Sequence, residues 1–494
     1  MARQVKDKKG QVQTPDWVVD KILREIGYAY GVGNGKILHW HIMDNSCGEG
    51  AFLTEIVRLI CAAGNIHFKS KRLVLTKEAL ETYVHGIEID AASHKKCIEA
   101  LDKVALGWGI KKVNWDVRLA DALGCHDYDG MMDFVVGNPP YVRVHNLASD
   151  FIKDYKFAHG GMTDLYLAFF ELGFNMLKPD GKLAYISPSS WFTSNAGRNL
   201  REYILRRRNL RRVFDFGHVQ VFDGVQTYTA ISCFDNGLRH DSVDYTKQLQ
   251  DDWGTVDTVD YQDFVIDGRF YFATKHQTDR LREMLNFYDN LPKEKRAYEV
   301  KNGFATLADK VFITEKTTSP NTGENSGFGL ALIHAYKASS GKVHHCIFPY
   351  NQDGTMMTET ELREKSPGEY QWLAENKERL LKRSTSEPWY AYGRTQAIKD
   401  TFKTKYPISS IIKLDCPAKV GTSASGTGVF GGLYVLPKVD GIDWDTINDA
   451  MTSNDFYYFV EMLGKYKSGG YYSFSSKDAE VYLNWLYYNG KREV

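Results

Sequence analysis

Between residues 16 and 30, Val18, Val19, Ile22, Leu23 and Ile26 recur with the period of a helix that buries one face. A short apolar run from Ile37 to Met43 predicts a first strand. The helical period then returns over 51–63, with Phe52, Leu53, Ile56, Val57 and Ile60 on one side. The exchange repeats as a strand over 84–89, a helix near 92–104 and a strand at Phe134-Val135-Val136. A helix near 165–177, a turn at Lys178-Pro179-Asp180-Gly181 and a strand over 182–187 follow. Strands alternating with helices predict a doubly wound α/β sheet in the first 240 residues. Beyond about 240 the strand-like runs shorten, a polar loop occupies 317–326, and glycine and aromatics cluster over 426–434 and 467–474. The change predicts two domains, 1–240 and 241–494, the second of mixed α+β type.

The strand at 134–136 runs into Gly137-Asn138-Pro139-Pro140-Tyr141. Ligands of open α/β sheets bind beyond the carboxyl ends of such strands, so chemistry is expected at this tetrad. Pro139 and Pro140 have a fixed φ and no N–H, which stiffens the loop. A stiff loop can hold the Asn138 side chain and the Pro139 carbonyl as two acceptors for one amino group, with the Tyr141 ring beside them. That combination suits a planar exocyclic amine. An isolated Pro-Pro-Tyr reads as a packed surface turn, and the preceding strand is what turns the reading toward a site.

A second cluster surrounds Asp44-Asn45-Ser46-Cys47-Gly48-Glu49-Gly50, where a strand ends and a helix opens. Glycines there let backbone come close to a ligand. The next strand ends in Gly86-Ile87-Glu88-Ile89-Asp90, and an acid at that point can accept both hydroxyl hydrogens of a ribose. Asp121-Ala122 follow a third strand-like run. A lone Gly-x-Gly serves packing alone; four signals at successive strand ends carry more.

This succession resembles the amino-group DNA methyltransferases, whose catalytic motif is Asn/Asp/Ser-Pro-Pro-Tyr/Phe. The order of segments is similar to the gamma class of N6-adenine enzymes of type II restriction–modification systems. The resemblance covers residues 10–235 well and the remainder loosely. It implies a Rossmann-like S-adenosyl-L-methionine-dependent catalytic domain followed by a DNA target-recognition domain. By that resemblance Asp44, Cys47, Gly48 and Gly50 line the methionine side of S-adenosyl-L-methionine, and Thr14-Pro15 hold its carboxylate end. Glu88 would bind the ribose, Ile89 would lie on the adenine ring, Asp121 with Ala122 would meet its amino group, and Pro140 would border the cofactor. Ser46-Cys47 departs from the further glycine of many methyltransferases. Asn138, Pro139 and Tyr141 would act on an adenine flipped from duplex DNA, with Phe222 stacking on it and Tyr228 as the competitor for that role. Arg394 and Gln396 suit guanine and adenine edges, although 392–398 reads equally as a structural turn.

Lys plus Arg equals Asp plus Glu at 62 each, so any nucleic-acid surface must be a local patch. Seven arginines over 198–212 face only Glu202, as a solvated helix flank or as phosphate contacts. Seven cysteines without a Cys-x-x-Cys pair argue against a disulfide framework and a zinc site. His39-Trp40-His41 and His344-His345-Cys346 lack a second ligand cluster, so no metal is expected. With no secretory signal and no apolar run long enough to span a membrane, a cytoplasmic protein is expected. The resemblance implies double-stranded DNA as partner, a cognate restriction endonuclease acting separately, and a monomer.

Three other functions compete. A protein-glutamine methyltransferase shares the tetrad but is shorter. A catalytically silent DNA-specificity protein would not need an intact tetrad. A bifunctional restriction–modification enzyme needs a nuclease, for which few residues precede Thr14 and no signature follows.

Overall fold

The computed structural model describes residues 13–29, 36–67, 72–144, 150–159, 163–222, 227–249, 252–314, 331–383, 388–423 and 425–490. The predicted polar loop at 317–326 lies outside them. The chain divides into two compact units, Met1–Thr278 and Asp279–Val494.

In the first unit the strands are β1 Ile42–Asp44, β2 Val84–Glu88, β3 Asp116–Leu119, β4 Met132–Gly137 and β5 Leu177–Pro188. They are followed by β6 Leu210–Asp215, β7 Thr229–Asp235, β8 Ser242–Leu249, β9 Asp252–Trp253 and β10 Asp257–Asp260. All ten form one sheet in the order β10-β8-β6-β7-β5-β4-β1-β2-β3, with β9 paired to β8. From β3 through β5 every pairing is parallel, whereas β7 runs antiparallel to both β5 and β6. The expected doubly wound sheet is therefore mixed at one side. The sheet also runs on past residue 240 through β8, β9 and β10, which is why the unit ends at 278 and not at 240.

Period-2 alternation along the strands builds two cores. Ile42, Phe134, Val136, Ala184 and Ile186 pack on one face, against helices α1 (Asp16–Glu25), α2 (Ala51–His67), α3 (Arg72–Tyr83) and α4 (Ala91–Gly107). Met43, Val135, Leu183 and Tyr185 pack on the other, against α5 (Tyr166–Met176) and α6 (Arg198–Arg207). Helix α3 is absent from the sequence reading, because its apolar residues share no single face. Ile37 and Leu38, expected in the first strand, belong to a 3-10 turn over Lys36–Leu38. The expected turn at Lys178-Pro179-Asp180-Gly181 is a bulge within β5: Leu177 pairs with Met132, and Lys182 already with Phe134.

Part of the arginine run of 198–212 works inside the unit, while Arg198, Arg206 and Arg207 are exposed. Arg201 is only 3% exposed and donates to the carbonyls of Trp191 (2.6 Å), Ser194 (2.7 Å) and Gly268 (2.6 Å). Arg212 pairs with Glu25 at 2.9 Å and with Asp244 at 2.8 Å, and Arg208 reaches Asp241.

Among the described residues the second unit is built from three small sheets. Tyr298–Asn302, Leu433–Pro437 and Tyr406–Ile408 form one; Ile313–Thr314, Lys342–Ile347, Leu332–Lys337 and Thr427–Phe430 form another. Ile411–Ile412, Tyr471–Ser473 and Tyr466–Lys467 form the third. Short helices, with Ser476–Asn489 the last, complete the mixed α+β fold.

Arg201 supplies a test of this packing. Arg201→Met keeps an apolar stem and leaves one buried and two part-buried carbonyls without this donor, which should cost about 3 kcal/mol. Chemical denaturation measures it, and an unchanged midpoint would show that the guanidinium is not structural.

Candidate active site

The sheet order reverses between β1 and β4. Their connections leave in opposite directions, and a crevice opens beyond their carboxyl ends. A cavity of about 1090 Å³ lies there. Its wall brings together segments far apart in the chain: Thr14, the loop 44–51, Glu88 to Asp90, Asp121 with Ala122, and the whole tetrad Asn138 to Tyr141.

Asp44 ends β1, and Gly137 ends β4 beside it. A Cβ on Gly137 would sit 2.9 Å from Asp44 Oδ1 and 3.6 Å from the Tyr185 ring, so only glycine passes there without displacement. Asp44 is 1% exposed, and its Oδ1 accepts from the Ser46 N–H at 3.1 Å. Burial pushes its carboxyl up to about 7, against the pull of that N–H, and the nearby Glu88 adds to the rise. The Cys47 N–H donates to the Ile87 carbonyl at 3.0 Å, which ties the loop to β2. Gly48 (φ +54°) and Gly50 (φ +93°) take the left-handed conformation that glycine allows. A Cβ on Gly48 would project into open space, whereas one on Gly50 would meet Cys97 Sγ at 2.9 Å. Gly48 thus leaves room for a ligand, and Gly50 leaves room for α4.

Glu88 is held at the end of β2 by two backbone donors, Gly48 N at 2.9 Å and Asp90 N at 2.7 Å. Asp90 instead caps α4, accepting from Ser93 N at 3.0 Å, so of the two acids Glu88 belongs to the cavity floor. Ile89 is 63% exposed on the cavity wall, a large apolar surface left open. Asp121 accepts from Leu123 N at 3.1 Å in the turn after β3. An acid set for hydroxyls, an open apolar face and a further acceptor beyond it fit the adenosine part of S-adenosyl-L-methionine, and the space over Gly48 accommodates its continuation.

The Asn138 amide nitrogen donates to Thr14 Oγ1 at 3.2 Å, and its main-chain carbonyl accepts from Ser46 Oγ at 3.4 Å. Tyr141 donates its hydroxyl to the Ile186 carbonyl at 3.3 Å, and its ring meets the edges of Tyr166 and Phe222 at 6.4 and 6.2 Å. Burial raises the Tyr141 phenol well above its ordinary value, so the ring stays neutral. Leu165 and Phe169 of the loop into α5 and of α5 itself also line the cavity; nothing in their local pattern distinguishes them from core. Asn45 is likewise missed by the sequence reading, and it reaches across β4 to donate to the Tyr185 hydroxyl at 2.7 Å.

Two expected site residues stand apart from the cavity wall. Pro15 heads α1, its carbonyl accepting from Val18 N and Val19 N, because a helix start needs that acceptor. Phe222 is 2% exposed and packed in the core behind Tyr141; residues 223–226, which follow it, lie outside the described residues. Tyr228 turns its ring edge to His218 at 5.8 Å. In the second unit Arg394 pairs through its backbone with Ala305 and leaves its side chain exposed, while Gln396 donates to the Gly303 carbonyl at 2.9 Å. Among the described residues no group of three His, Cys, Asp or Glu could hold a metal, and no helix is long and apolar enough to cross a membrane.

A parallel sheet reversing between β1 and β4, with an antiparallel β7 beside β5 and this cavity at the reversal, is the fold of the Rossmann-like S-adenosyl-L-methionine-dependent methyltransferases. S-adenosyl-L-methionine is the cofactor of that class. More narrowly, residues 54–222 match the Eco57I restriction-modification methylase family. The chain is 24% identical over 478 residues to the type II restriction enzyme and methyltransferase RM.Eco57I of Escherichia coli, covering 79% of this chain and 48% of that one. It is 25% identical over 388 residues to the type II methyltransferase M.BstVI of Geobacillus stearothermophilus, covering 70% of this chain and 68% of that one. The chain thus spans about half the length of the first of these relatives. Among solved structures, the type IIL restriction-modification enzyme MmeI in complex with DNA superposes with a TM-score of 0.61 at 15% identity, over 93% of this chain and 64% of that one.

Asp44 yields a pH test. A buried carboxyl with a raised value favours folding fully below about 4, the unfolded range, and loses that contribution as pH rises through about 7. Without cofactor, Asp44→Asn should therefore melt close to the parent at pH 4 and be a few kcal/mol more stable than it at pH 8. Melting curves at the two pH values decide it, and a difference independent of pH would show that Asp44 is not forced to ionise in a dry site.

Proposed function

We propose that the protein is a site-specific DNA methyltransferase that methylates the N6 amino group of an adenine flipped out of duplex DNA, within a restriction–modification system. The observation that carries this reading is the tetrad Asn138 to Tyr141 opening into the same cavity as Asp44, Gly48 and Glu88. Asn138 Oδ1 and the Pro139 carbonyl accept the two amino hydrogens, which draws the nitrogen lone pair out of conjugation. Tyr141 offers its face to the base, and stacking of that kind contributes about 1–3 kcal/mol toward the cost of unstacking it. When bound, S-adenosyl-L-methionine supplies an activated methyl group. Glu88, Ile89 and Asp121 orient its adenosine part, and the 44–50 loop orients the rest. The chain's contribution is then positioning and preorganised acceptors, with no strong base needed because the amine becomes acidic only once alkylated.

Residues 279–494 are proposed to read the target sequence, since the tetrad and the cofactor cavity are complete within 1–278. The double name of the RM.Eco57I relative favours a second reading, in which methylation is one of two activities of the protein. Magnesium-dependent cutting of unmethylated DNA by this chain would establish that reading.

Asn138→Ala should lower single-turnover methylation by about two to three powers of ten and leave cofactor affinity near parental. Nucleoside mass spectrometry identifies the product: a methylated cytosine would overturn the adenine assignment, and parental rates would overturn the role of the tetrad. Exchanging 279–494 for the matching part of a relative should move the methylated sequence with it. Sequencing of modified bases checks that division, which is wrong if specificity stays with 1–278.

A further inference from the structure

A primary amide has one end that accepts and one that donates, and only the accepting end can serve an amino group. Rotated by half a turn, Asn138 would aim its own N–H bonds at the substrate's and repel it. Something must therefore hold the amide one way round. The Asn138 amide nitrogen donates to Thr14 Oγ1 at 3.2 Å, across 124 residues of chain. Thr14 is well placed for this task. It is buried, it lines the cavity beside Asn138, and it lies just ahead of α1, whose Val18, Val19, Ile22 and Leu23 are anchored in the core. From the other side the Asn138 main-chain carbonyl is tied by Ser46 Oγ, so the backbone of the loop is fixed while the amide turns only about its side-chain bonds.

We propose that Thr14 is a positioning residue for the proposed methyl transfer: its hydroxyl oxygen accepts from Asn138 Nδ2 and so turns Asn138 Oδ1 toward the substrate amino group. The inference rests on the reading of Asn138 as the amine acceptor. A hydroxyl carries a single hydrogen and can act either way, so its role toward Asn138 depends on where that hydrogen goes. An anionic or carbonyl acceptor in the cavity next to Thr14 takes the hydrogen and leaves the oxygen lone pairs to Asn138. Filling the cavity on the Thr14 side thereby sets the amide for catalysis before the base arrives.

The test is a double-substitution cycle on the full chain, read as single-turnover methylation of duplex DNA at saturating S-adenosyl-L-methionine, with cofactor affinity measured separately by calorimetry. Thr14→Val removes the hydroxyl at nearly constant shape and should slow transfer about 10- to 100-fold, the scale of a misdirected catalytic group. Thr14→Ser restores the hydroxyl and should return the rate to within about threefold of the parent. Asn138→Asp places two equivalent oxygens at the position, so the direction of the group no longer matters. In that background Thr14→Val should cost less than about threefold. An equal loss in both backgrounds, or a loss of cofactor affinity with no change in saturated rate, overturns the inference. Should Asn138→Asp be too slow to measure, the serine and valine variants decide, and equal rates for the two overturn it. Parental turnover by Thr14→Val while Asn138→Ala is inactive removes this inference alone, whereas parental turnover by Asn138→Ala removes the reading of the tetrad beneath it.

Discussion

The close passage of Gly137 beside Asp44 governs the rest of the site. Two adjacent parallel strands end at the same level there, and a side chain on Gly137 would crowd the Asp44 carboxylate out of its place. Because none is present, the acid that closes β1 and the amide that follows β4 face one space. The cofactor loop and the tetrad are then neighbours without any dedicated linking element. Asn45 reinforces the arrangement by reaching from the end of β1 to Tyr185 on β5, so three consecutive strands are cross-tied just beneath the cavity.

Much of this is legible in the chain because the relevant signals are local. A helix with one buried face, an apolar strand ending in glycine and a double proline each announce themselves within about ten residues. Asp44, Cys47, Gly48, Gly50, Glu88, Ile89, Asp121, Ala122, Asn138, Pro139, Pro140 and Tyr141 all fall on one cavity wall, as does Thr14. What escapes depends on partners distant in sequence. Asn45 looks like any loop polar residue until Tyr185 is beside it, and Leu165 and Phe169 look like core until the cavity reaches them. The extent of the first unit is hidden for the same reason. Strands β9 and β10 are short and polar, and only the pairing of β8 to β6 reveals where the three belong.

The arginines of 198–212 divide between internal cross-links and exposed surface. Arg201 serves three carbonyls and Arg212 two carboxylates, whereas Arg198, Arg206 and Arg207 are exposed. A buried guanidinium with five fixed donors is a cross-link for backbone carbonyls as much as a ligand for phosphate. In the second unit the segments at 303–309 and 392–398 are brought together by backbone pairing of Ala305 with Arg394 and by the Phe304 and Tyr392 rings at 4.8 Å. The turn reading of 392–398 and an outward-facing Arg394 are therefore compatible, since the turn is what presents the side chain.

The order of strands in the sheet has a consequence for how the protein is made. Strands β1, β2 and β3 leave the ribosome first and can pair at once, but β4 must join the open side of β1 afterwards. Gly48 and Asn138 are separated by 90 positions, an interval of about 5–20 s at translation speeds of about 5–20 residues per second. By the time Asn138 is made the nascent chain already carries the 44–50 loop, Glu88 and Ile89, with an unpaired edge of β1 where the tetrad will be. The cavity wall is thus assembled in two stages, and its second half cannot form until β4 has paired with β1.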